Sequence, residues 1–351
     1  MALRLSILKA DHGDCFLVSH REGNKSYNLL IDGGTASTFR RQTGAPGPLK
    51  LALDSLKSDG QQIDLAILTH IDSDHIGGLK RGFETKGYLS SITKKFWYNS
   101  SKLITDYVGV AEIPENFVYL RDISNPETSF RQAHSLEILL DKIGCWHKDL
   151  KMAGQKTQEG PFSLTILSPR EEDIIKLAQA WPKELISPLT AGRSRDFSLS
   201  FSELLKNDRF VGDQTLPNRS SISFILETGC VKCLFLADAP DDVVVQTLKE
   251  LGYTASNRLK VDLVKVSHHG SQFNTSPDFL SLIEPTSFLF STNGRSHNHP
   301  DRITIARILH EHPDANLYFN YEETIKLTFS NTELTQHSQK ISSIQYLDLC
   351  T

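Results

Sequence analysis

Thr69-His70-Ile71-Asp72-Ser73-Asp74-His75-Ile76-Gly77-Gly78 is the stretch on which the fold prediction for this chain rests. Four side chains of kinds that bind metals fall within six of its residues, namely His70, Asp72, Asp74 and His75. The apolar run at residues 64–69 leads into them and predicts a buried strand, and the two glycines favour a tight turn of the backbone. Carboxylates this close repel each other, and a divalent cation offsets that repulsion. The stretch therefore predicts a metal site where a strand ends.

Composition and charge limit the classes of function. With 351 residues the chain is long enough to bury a full core, as one large domain or two small ones. Its 38 basic and 42 acidic residues give a net charge of −4, which argues against a broad basic surface for non-specific nucleic-acid binding but allows a local basic groove. No apolar run approaches ~18 residues, so no membrane-spanning helix is predicted. The first residues predict a strand and not a signal peptide.

The cysteines predict an intracellular protein. Five of them, without regular spacing, indicate reduced thiols and a cytoplasmic location. Cys230 and Cys233 form a lone C-x-x-C in an expected hairpin at residues 221–236. They are interpreted as ordinary strand cysteines, with a zinc or redox pair as the alternative.

The order of apolar runs predicts an α/β class. Strands are expected at residues 3–8, 15–19 and 27–31, and a helical insertion at about 171–217. From residue 219 strands and helices alternate, and extra strands are expected at 316–320, 324–329 and 344–349.

Clusters of polar residues follow several of the predicted strands. They are Asp32, residues 70–75, Asp238, residues 268–269 and residues 297–299. In layered α/β folds, ligands bind beyond the strand ends, where loops converge. Six of the 13 histidines lie in three of these short motifs, which favours one shared site over scattered surface histidines.

In this order the motifs resemble those of the metallo-β-lactamase fold superfamily, and more narrowly a nuclease-like branch related to the hydrolase domain of bacterial DNA-uptake (competence) proteins. Besides the opening stretch, the resemblance rests on Gly13-Asp14-Cys15-Phe16-Leu17, Leu29-Leu30-Ile31-Asp32-Gly33-Gly34, Asn218-Arg219-Ser220-Ser221-Ile222, Leu236-Ala237-Asp238-Ala239, Val266-Ser267-His268-His269-Gly270-Ser271 and His299-Pro300. It implies a single domain over residues 1–351, a four-layered αββα sandwich with the helical insertion, extra C-terminal strands at about 316–349, and metals at one edge.

The resemblance also implies a role for individual residues. His70 and Asp72 would bind a first metal, Asp74 and His75 a second, and Asp238 would bridge the two. The last histidine ligand would be His269 or His299, which their spacing does not distinguish. His268, or whichever of those two is not a ligand, would donate a proton to the leaving oxygen, so the expected catalytic residues are Asp74, His268 and His299. Asp32 would orient the ligand histidines through hydrogen bonds.

Two departures from the commoner family pattern bear on the metal. In this chain Asp72 stands where the usual H-x-H-x-D-H motif has its middle histidine. A further histidine ligand of the family pattern is absent near Pro217-Asn218. Both changes replace nitrogen by oxygen, and oxygen-rich sites favour harder ions. The expected cofactors are therefore two divalent ions, zinc or manganese, with magnesium as a further candidate.

Such a pair of ions suits hydrolysis of a phosphodiester. The leading prediction is a phosphodiesterase or nuclease acting on nucleic acid, with Asn218, Ser220, Ser221 and Ser271 as candidate substrate contacts. Arg193, Arg195 and Arg219 are candidates for contacting a phosphate backbone. One alternative is a hydrolase of a small molecule such as a lactone, thioester or cyclic nucleotide. The other is a non-enzymatic, metal-stabilised interaction module, and a protein partner is compatible with each.

Overall fold

The two sheets formed by the described residues belong to two different compact units. The computed structural model describes residues 2–109, 126–180, 197–229 and 231–350, with the side chains of 126–131 and 180 left out. The chain divides into two compact units, the first containing Met1–Met152, Pro169–Pro188 and Tyr346–Thr351, and the second containing Ala153–Ser168 and Leu189–Gln345. Arg193, Arg195 and Cys230 lie outside the described residues.

The first unit is built on six strands. They are β1 (Ala2–Ile7), β2 (Phe16–Glu22), β3 (Lys25–Ile31), β4 (Leu65–Ile67), β5 (Phe96–Trp97) and β14 (Tyr346–Cys350), in the sheet order β14-β1-β2-β3-β4-β5. β1, β2 and β3 are antiparallel, whereas β3, β4 and β5 run parallel with Leu30 beside Ala66. Its helices are α1 (Ala36–Phe39), α2 (Pro48–Ser58), α3 (Ser73–Glu84), α4 (Leu89–Ile92), α5 (Ser101–Val108), α6 (Pro126–Ile143) and α7 (Glu171–Ala180).

The second unit is built on eight strands. They are β6 (Lys156–Glu159), β7 (Phe162–Ser168), β8 (Ser223–Thr228), β9 (Val231–Phe235), β10 (Leu259–Lys265), β11 (Ile283–Phe290), β12 (Asn316–Phe319) and β13 (Ile341–Ser343), in the order β13-β12-β11-β10-β9-β8-β7-β6. The strands from β9 to β13 are parallel neighbours. Its helices are α8 (Phe201–Lys206), α9 (Leu216–Arg219), α10 (Asp241–Glu250), α11 (Pro277–Ser281), α12 (Arg302–Glu311), α13 (Glu322–Thr328) and α14 (Asn331–His337), with a 3-10 helix at Ser267–Gly270.

Each unit has its own apolar core. The core of the first unit includes Leu30, Ala66, Ile76 and Phe96, so it ties β3, β4 and β5 to α3. The core of the second includes Leu234 and Phe288, which lie on strands of its parallel half. Burying these side chains removes apolar surface from water, which is the main favourable term in folding. The helix carrying Asp74 and His75 is thereby held against its sheet.

The predicted α/β class is confirmed, because the described residues form two mixed sheets with helices. The expected hairpin at 221–236 is present as β8 and β9. The single domain implied by the resemblance stays a prediction. Within the expected insertion, α7, α8 and α9 are helical, and residues 181–196 lie outside the described residues.

The strand predicted at 324–329 is wrong, because these residues belong to helix α13. The alternation of polar and apolar residues in this segment favours a strand locally. In the structure, however, Thr324, Ile325 and Thr328 are buried, and a spacing of four residues places Thr324 and Thr328 on one face of a helix. Packing in the unit overrides the local preference. The strands expected at 316–320 and 344–349 are present as β12 and β14, whereas β13 was not expected.

Candidate metal centre

The histidine–aspartate motif of the first unit begins after β4 and continues into the first turn of α3. β3 and β4 are parallel, so the residues that follow them, Asp32 and His70, emerge at the same edge of the sheet. Asp72 is the N-cap residue of α3, yet its side chain makes no capping hydrogen bond to the helix. Aspartate is common at this position because it usually makes that bond. Helix capping therefore does not account for the Asp72 carboxylate.

The two glycines of the motif lie within helix α3 and do not form the expected turn. They allow a close approach of backbones instead. A Cβ atom on Gly78 would lie 2.0 Å from the carbonyl oxygen of Gly33, and one on Gly33 would lie 2.2 Å from the Leu79 nitrogen. The Gly33 nitrogen donates to the His75 carbonyl over 2.8 Å. Side chains here would push the start of α3, with its carboxylate and histidine, away from the turn after β3.

Asp32 connects both halves of the motif by hydrogen bonds. It is 1% exposed, and it accepts from the Thr69 nitrogen over 2.8 Å, from Thr69 Oγ1 over 2.7 Å and from His75 Nδ1 over 2.8 Å. Because a carboxylate accepts here, the proton of His75 sits on Nδ1, and the lone pair of the neutral ring is on Nε2. A histidine held in this way is typical of metal ligands. Asp32 has a φ of 56°, a left-handed conformation that Asp tolerates better than most residues.

The donor atoms of the first unit are spaced for ligation rather than for direct hydrogen bonding. His70 Nε2 lies 3.7 Å from Asp72 Oδ2, and His75 Nε2 lies 4.0 Å from Asp74 Oδ2. The rings of His70 and His75 have centroids 4.0 Å apart. Two metal–ligand bonds of about 2.1 Å meeting at about 110–130° separate their donor atoms by about 3.4–3.8 Å. The His70–Asp72 spacing falls within this range and the His75–Asp74 spacing lies just above it, and imidazole and carboxylate are both groups that bind divalent ions.

A second group of donors lies at one sheet edge of the second unit. β9, β10 and β11 are parallel, so Asp238, His269 and Ser291, which follow them, emerge together. His269 Nδ1 donates to the Ser291 carbonyl over 2.9 Å. A carbonyl only accepts, so the proton is on Nδ1 and the lone pair is on Nε2. His269 Nε2 lies 3.8 Å from Asp238 Oδ1, again a spacing suited to two ligands of one ion.

His268 lies between two buried carboxylates. Its Nε2 is 3.7 Å from Asp238 Oδ2 and its Nδ1 is 3.7 Å from Asp213 Oδ2. Nδ1 is also 3.2 Å from Asn274 Oδ1, which accepts its proton. Burial lowers the pKa of His268, but Asp238 and Asp213 outweigh burial, and the pKa is raised overall. His268 and His269 both have left-handed backbone, with φ of 46° and 53°, a strained conformation typical of functional sites.

Asp213 was missed by the sequence analysis. It is buried and accepts from Thr215 Oγ1 over 2.7 Å and from the side-chain nitrogen of Asn218 over 2.6 Å. Burial raises the pKa of Asp213, but the interactions with His268 and Asn218 outweigh burial and lower the pKa overall, to about 2. It follows no predicted strand. The only local signal is its bond to the Thr215 nitrogen, a turn pattern that carries no functional information.

His299 is buried in the same unit, with its ring centroid 5.3 Å from that of His268. Its Nδ1 lies 3.3 Å from Asp301 Oδ2. Burial, the largest effect, lowers the pKa of His299 to about 4 against the opposing influence of Asp301. The ring is therefore neutral at pH 7. The ring of His297 is 6.1 Å from that of His299.

Of the predicted substrate contacts, Asn218 lies beside His268 in space and Ser271 lies three residues from it in the chain. Asn218 Nδ2 is 3.3 Å from His268 Nδ1. The Ser220 hydroxyl donates to the Pro217 carbonyl in its own turn. Ser221 and Ser271 are buried, and within the described part of the chain Ser221 Oγ has no hydrogen-bond partner. Their roles in substrate binding stay predictions.

Two other expectations receive a partial answer. The guanidinium of Arg219 forms a bidentate contact with the Asp242 carboxylate, at 3.2 and 2.8 Å, so it is engaged within the protein.

Cys15, Cys145 and Cys233 are buried free thiols. Cys350 is disulfide-bonded, so the expectation of five reduced thiols is wrong for this residue. None of the described helices combines the length and apolar character needed to span a membrane.

Comparison with known proteins confirms the resemblance expected from the motifs. Residues 8–111 match the metallo-beta-lactamase superfamily. ComE operon protein 3 of Bacillus subtilis (strain 168) is 23% identical over 119 residues, which cover 34% of this chain. The match spans only 15% of the length of that relative.

Three solved structures of low sequence identity are reported as similar to this chain. The metallo-beta-lactamase fold protein YhfI from Bacillus subtilis has a TM-score of 0.40 at 12% identity, covering 98% of this chain and 99% of that one. An isothiocyanate hydrolase from Delia radicum gut bacteria has a TM-score of 0.39 at 11% identity, covering 99% of each chain. A possible metal-dependent hydrolase from Veillonella parvula has a TM-score of 0.40 at 10% identity, covering 99% of this chain and 100% of that one.

Proposed function

We propose that this protein, in which residues 8–111 are metallo-beta-lactamase superfamily sequence, is a metal-dependent phosphodiesterase or nuclease. The superfamily match supports a metal-dependent hydrolase in general, and the phosphodiester substrate is the finer part of the proposal. The observation that carries it is the pairing of imidazole and carboxylate donors. His75 and His269 each have Nδ1 committed to a hydrogen bond, so each directs the lone pair of Nε2 towards a neighbouring carboxylate.

The proposed ligands follow the resemblance, one residue at a time. His70 and Asp72 are assigned to one ion, and Asp74 and His75 to the other. Asp238 is assigned as the bridge and His269 as the last histidine ligand. The spacing of 3.8 Å between His269 Nε2 and Asp238 Oδ1 supports this choice over His299, and the hydrogen bond from His269 Nδ1 to the Ser291 carbonyl orients the ring for it.

The proposed ions are zinc or manganese, with magnesium as a further candidate. Half of the donors in the motif of the first unit are carboxylates. Manganese and magnesium prefer carboxylate oxygen as a ligand, whereas sites rich in thiolate or imidazole suit them less well. When bound, two divalent ions lower the pKa of water, polarise a phosphoryl oxygen and stabilise both the attacking and the leaving oxygen.

His268 is proposed to hold the proton that the leaving oxygen receives. Asp213 and Asp238 favour its charged form, and Asn274 accepts the Nδ1 proton, so the proton available for transfer is on Nε2. His299 is neutral because of its low pKa, and it is proposed to contact the reacting groups as an uncharged hydrogen-bonding ring. Asn218, Ser220, Ser221 and Ser271 are proposed to contact the substrate.

A phosphodiester of nucleic acid is favoured by the motif resemblance to the hydrolase domain of DNA-uptake proteins. The test uses protein stripped of metal and reloaded with Mn²⁺ or Zn²⁺, incubated with single-stranded DNA and with bis(p-nitrophenyl) phosphate. Cleavage that depends on the metal and is lost in Asp74→Ala, but kept in the surface variant Asp348→Asn, is the expected result. Turnover of a lactone, thioester or cyclic nucleotide without DNA cleavage would instead support the small-molecule hydrolase.

A metal-stabilised interaction module makes a different prediction. In that case Asp74→Ala would leave both metal content and every tested hydrolysis unchanged. A cytoplasmic location and a protein partner in DNA processing belong to the same proposal. Affinity purification of the tagged chain that recovers neither nucleic acid nor a protein would count against them.

A further inference from the structure

An open cavity of about 920 Å³ lies in the second unit, beside the first turn of α10. Its walls include Phe210, Gly212, Asp241, Val245 and Pro277. None of the residues assigned above to metal ions lines it. The cavity is therefore a different feature from the candidate metal centre, and its chemistry has to be explained separately.

The charged residues that line the cavity are mostly acidic. The carboxylates are those of Asp241, Asp242, Glu250 and Asp278, and among the described residues that line the cavity Lys249 is the one lysine. Asp242 is neutralised by its contact with Arg219. The remaining excess of negative charge favours a cation in the cavity.

Asp241 gives this charge a specific location. The residue is 5% exposed, and within the described part of the chain its Oδ1 atom has no hydrogen-bond partner. Burial is the main cause that raises the pKa of Asp241 to about 6, with Asp242 adding to it and Ser276 opposing it. A buried carboxylate oxygen without a partner costs free energy, and a bound donor would recover it.

The wall around Asp241 limits the kind of donor. A Cβ atom on Gly212 would lie 3.6 Å from Asp241 Oδ1 and 3.7 Å from the Phe210 ring, so the missing side chain leaves space next to both. Phe210, Val245 and Pro277 supply apolar surface. Among the residues the structure describes, no set of three metal-type donors comes together at this cavity. A compact ion is thus less well matched than an ammonium group on an apolar stem.

We propose that this cavity binds an organic cation, a primary ammonium carried on an aliphatic stem, with the ammonium donating to Asp241 and the stem lying along Phe210 and Val245. Ammonium–carboxylate hydrogen bonds are stronger than neutral ones, and the stem contributes by removing apolar surface from water. Asp241 also lies in the first turn of α10, where the helix dipole favours a negative charge.

The test uses the full chain and a matched pair of probes, 1,6-diaminohexane and its uncharged analogue 1,6-hexanediol, in calorimetric titrations at constant ionic strength. The expected result is binding of the diamine with a Kd below about 1 mM and no measurable binding of the diol. Asp241→Asn should weaken diamine binding by about tenfold or more, because it removes the charge of the acceptor.

Two further variants separate a built site from general charge and from misfolding. Gly212→Ala places a methyl group at ordinary contact distance from Asp241 and Phe210, so it should fill the space and weaken binding without altering the melting temperature. Asp314→Asn changes the net charge equally at an exposed position and should leave binding unchanged. The proposal is overturned if the parent protein does not bind the diamine, if the diol binds as tightly, or if Asp314→Asn weakens binding as much as Asp241→Asn.

Discussion

His75 and Asp32, which are 43 positions apart in the chain, are joined by a hydrogen bond of 2.8 Å from Nδ1 to Oδ2. Both side chains are buried. The bond decides which ring nitrogen of His75 presents a lone pair, and the two bonds from Thr69 to the same carboxylate keep that carboxylate in place. The chemistry of the motif in α3 therefore depends on a residue that follows β3.

Asp32→Asn should weaken metal binding while the fold is kept. Asn has nearly the same shape and tolerates the positive φ of this position, but its amide can offer only one acceptor oxygen to the three donors. Loss of the orienting bond typically lowers metal affinity by about 10–100-fold. Competition titration with a metal-sensitive dye measures this. Asp348→Asn, at an exposed ion pair, is the control, and equal affinities in the two variants would contradict the assigned role of Asp32.

Gly13→Ala should disrupt the start of α3. A Cβ atom at this position would lie 1.8 Å from the carbonyl oxygen of Asp74, so the backbone that carries Asp74 and His75 must shift. Overpacking of this kind costs about 1–3 kcal/mol in free energy of unfolding. Urea denaturation and metal titration should both register the change. The same substitution at Gly212, where the nearest atom is 3.6 Å away, should be close to neutral for stability, and a similar loss there would show that the effect is not specific to Gly13.

Asp72→His should change the preference among metals. The substitution restores the nitrogen donor of the commoner motif, and imidazole suits zinc whereas carboxylate suits manganese. The ratio of zinc-supported to manganese-supported hydrolysis should rise by about tenfold, in line with the ligand preferences of these ions. Activity of stripped protein reloaded with each metal over a concentration series measures the ratio. If the ratio is unchanged although the metals still bind, Asp72 is not a ligand.

Asp241→Asn should stabilise the protein at neutral pH and not at acid pH. The pKa of Asp241 is raised from 3.8 to about 6, chiefly by burial, so its ionisation opposes folding. Below about pH 4 the carboxyl is neutral, and its ionisation takes nothing from the free energy of unfolding. That stability of the folded protein is lost as the pH rises through 6. The variant cannot ionise, so its advantage should grow from near zero at pH 4 to on the order of 2 kcal/mol at pH 8.

Urea midpoints of Asp241→Asn and of the parent protein at several pH values give this difference directly. Ionisable groups common to both proteins cancel in the comparison. Asp314→Asn, at an exposed position, should show a difference that hardly varies with pH. An advantage of Asp241→Asn that is equally large at pH 4 and pH 8 would mean that ionisation of Asp241 is not its cause.

Local apolar patterns predicted most of the elements that carry the candidate site. The hairpin of β8 and β9 was expected from residues 221–236, and the alternation of strands and helices expected from residue 219 is present in the elements from β8 to α12. The pattern failed at residues 324–329, where side chains with a preference for strands lie in α13. It also misassigned Gly77 and Gly78, because a close approach between α3 and the turn after β3 involves residues about 45 positions away and leaves no local signal.

Local patterns in the sequence were enough to predict the kinds of donor atoms and the strand ends that carry them, because a strand and the polar residues after it are neighbours in the chain. Only the tertiary structure decided which nitrogen of each histidine is committed, since the partners Asp32 and the Ser291 carbonyl are brought to His75 and His269 by parallel strands. The same holds for Asp213, which lies beside His268 although several strands and helices separate the two residues in the chain. Hydrogen-bond partners distant in the chain depend on strand order and register, and those are properties of the folded sheet.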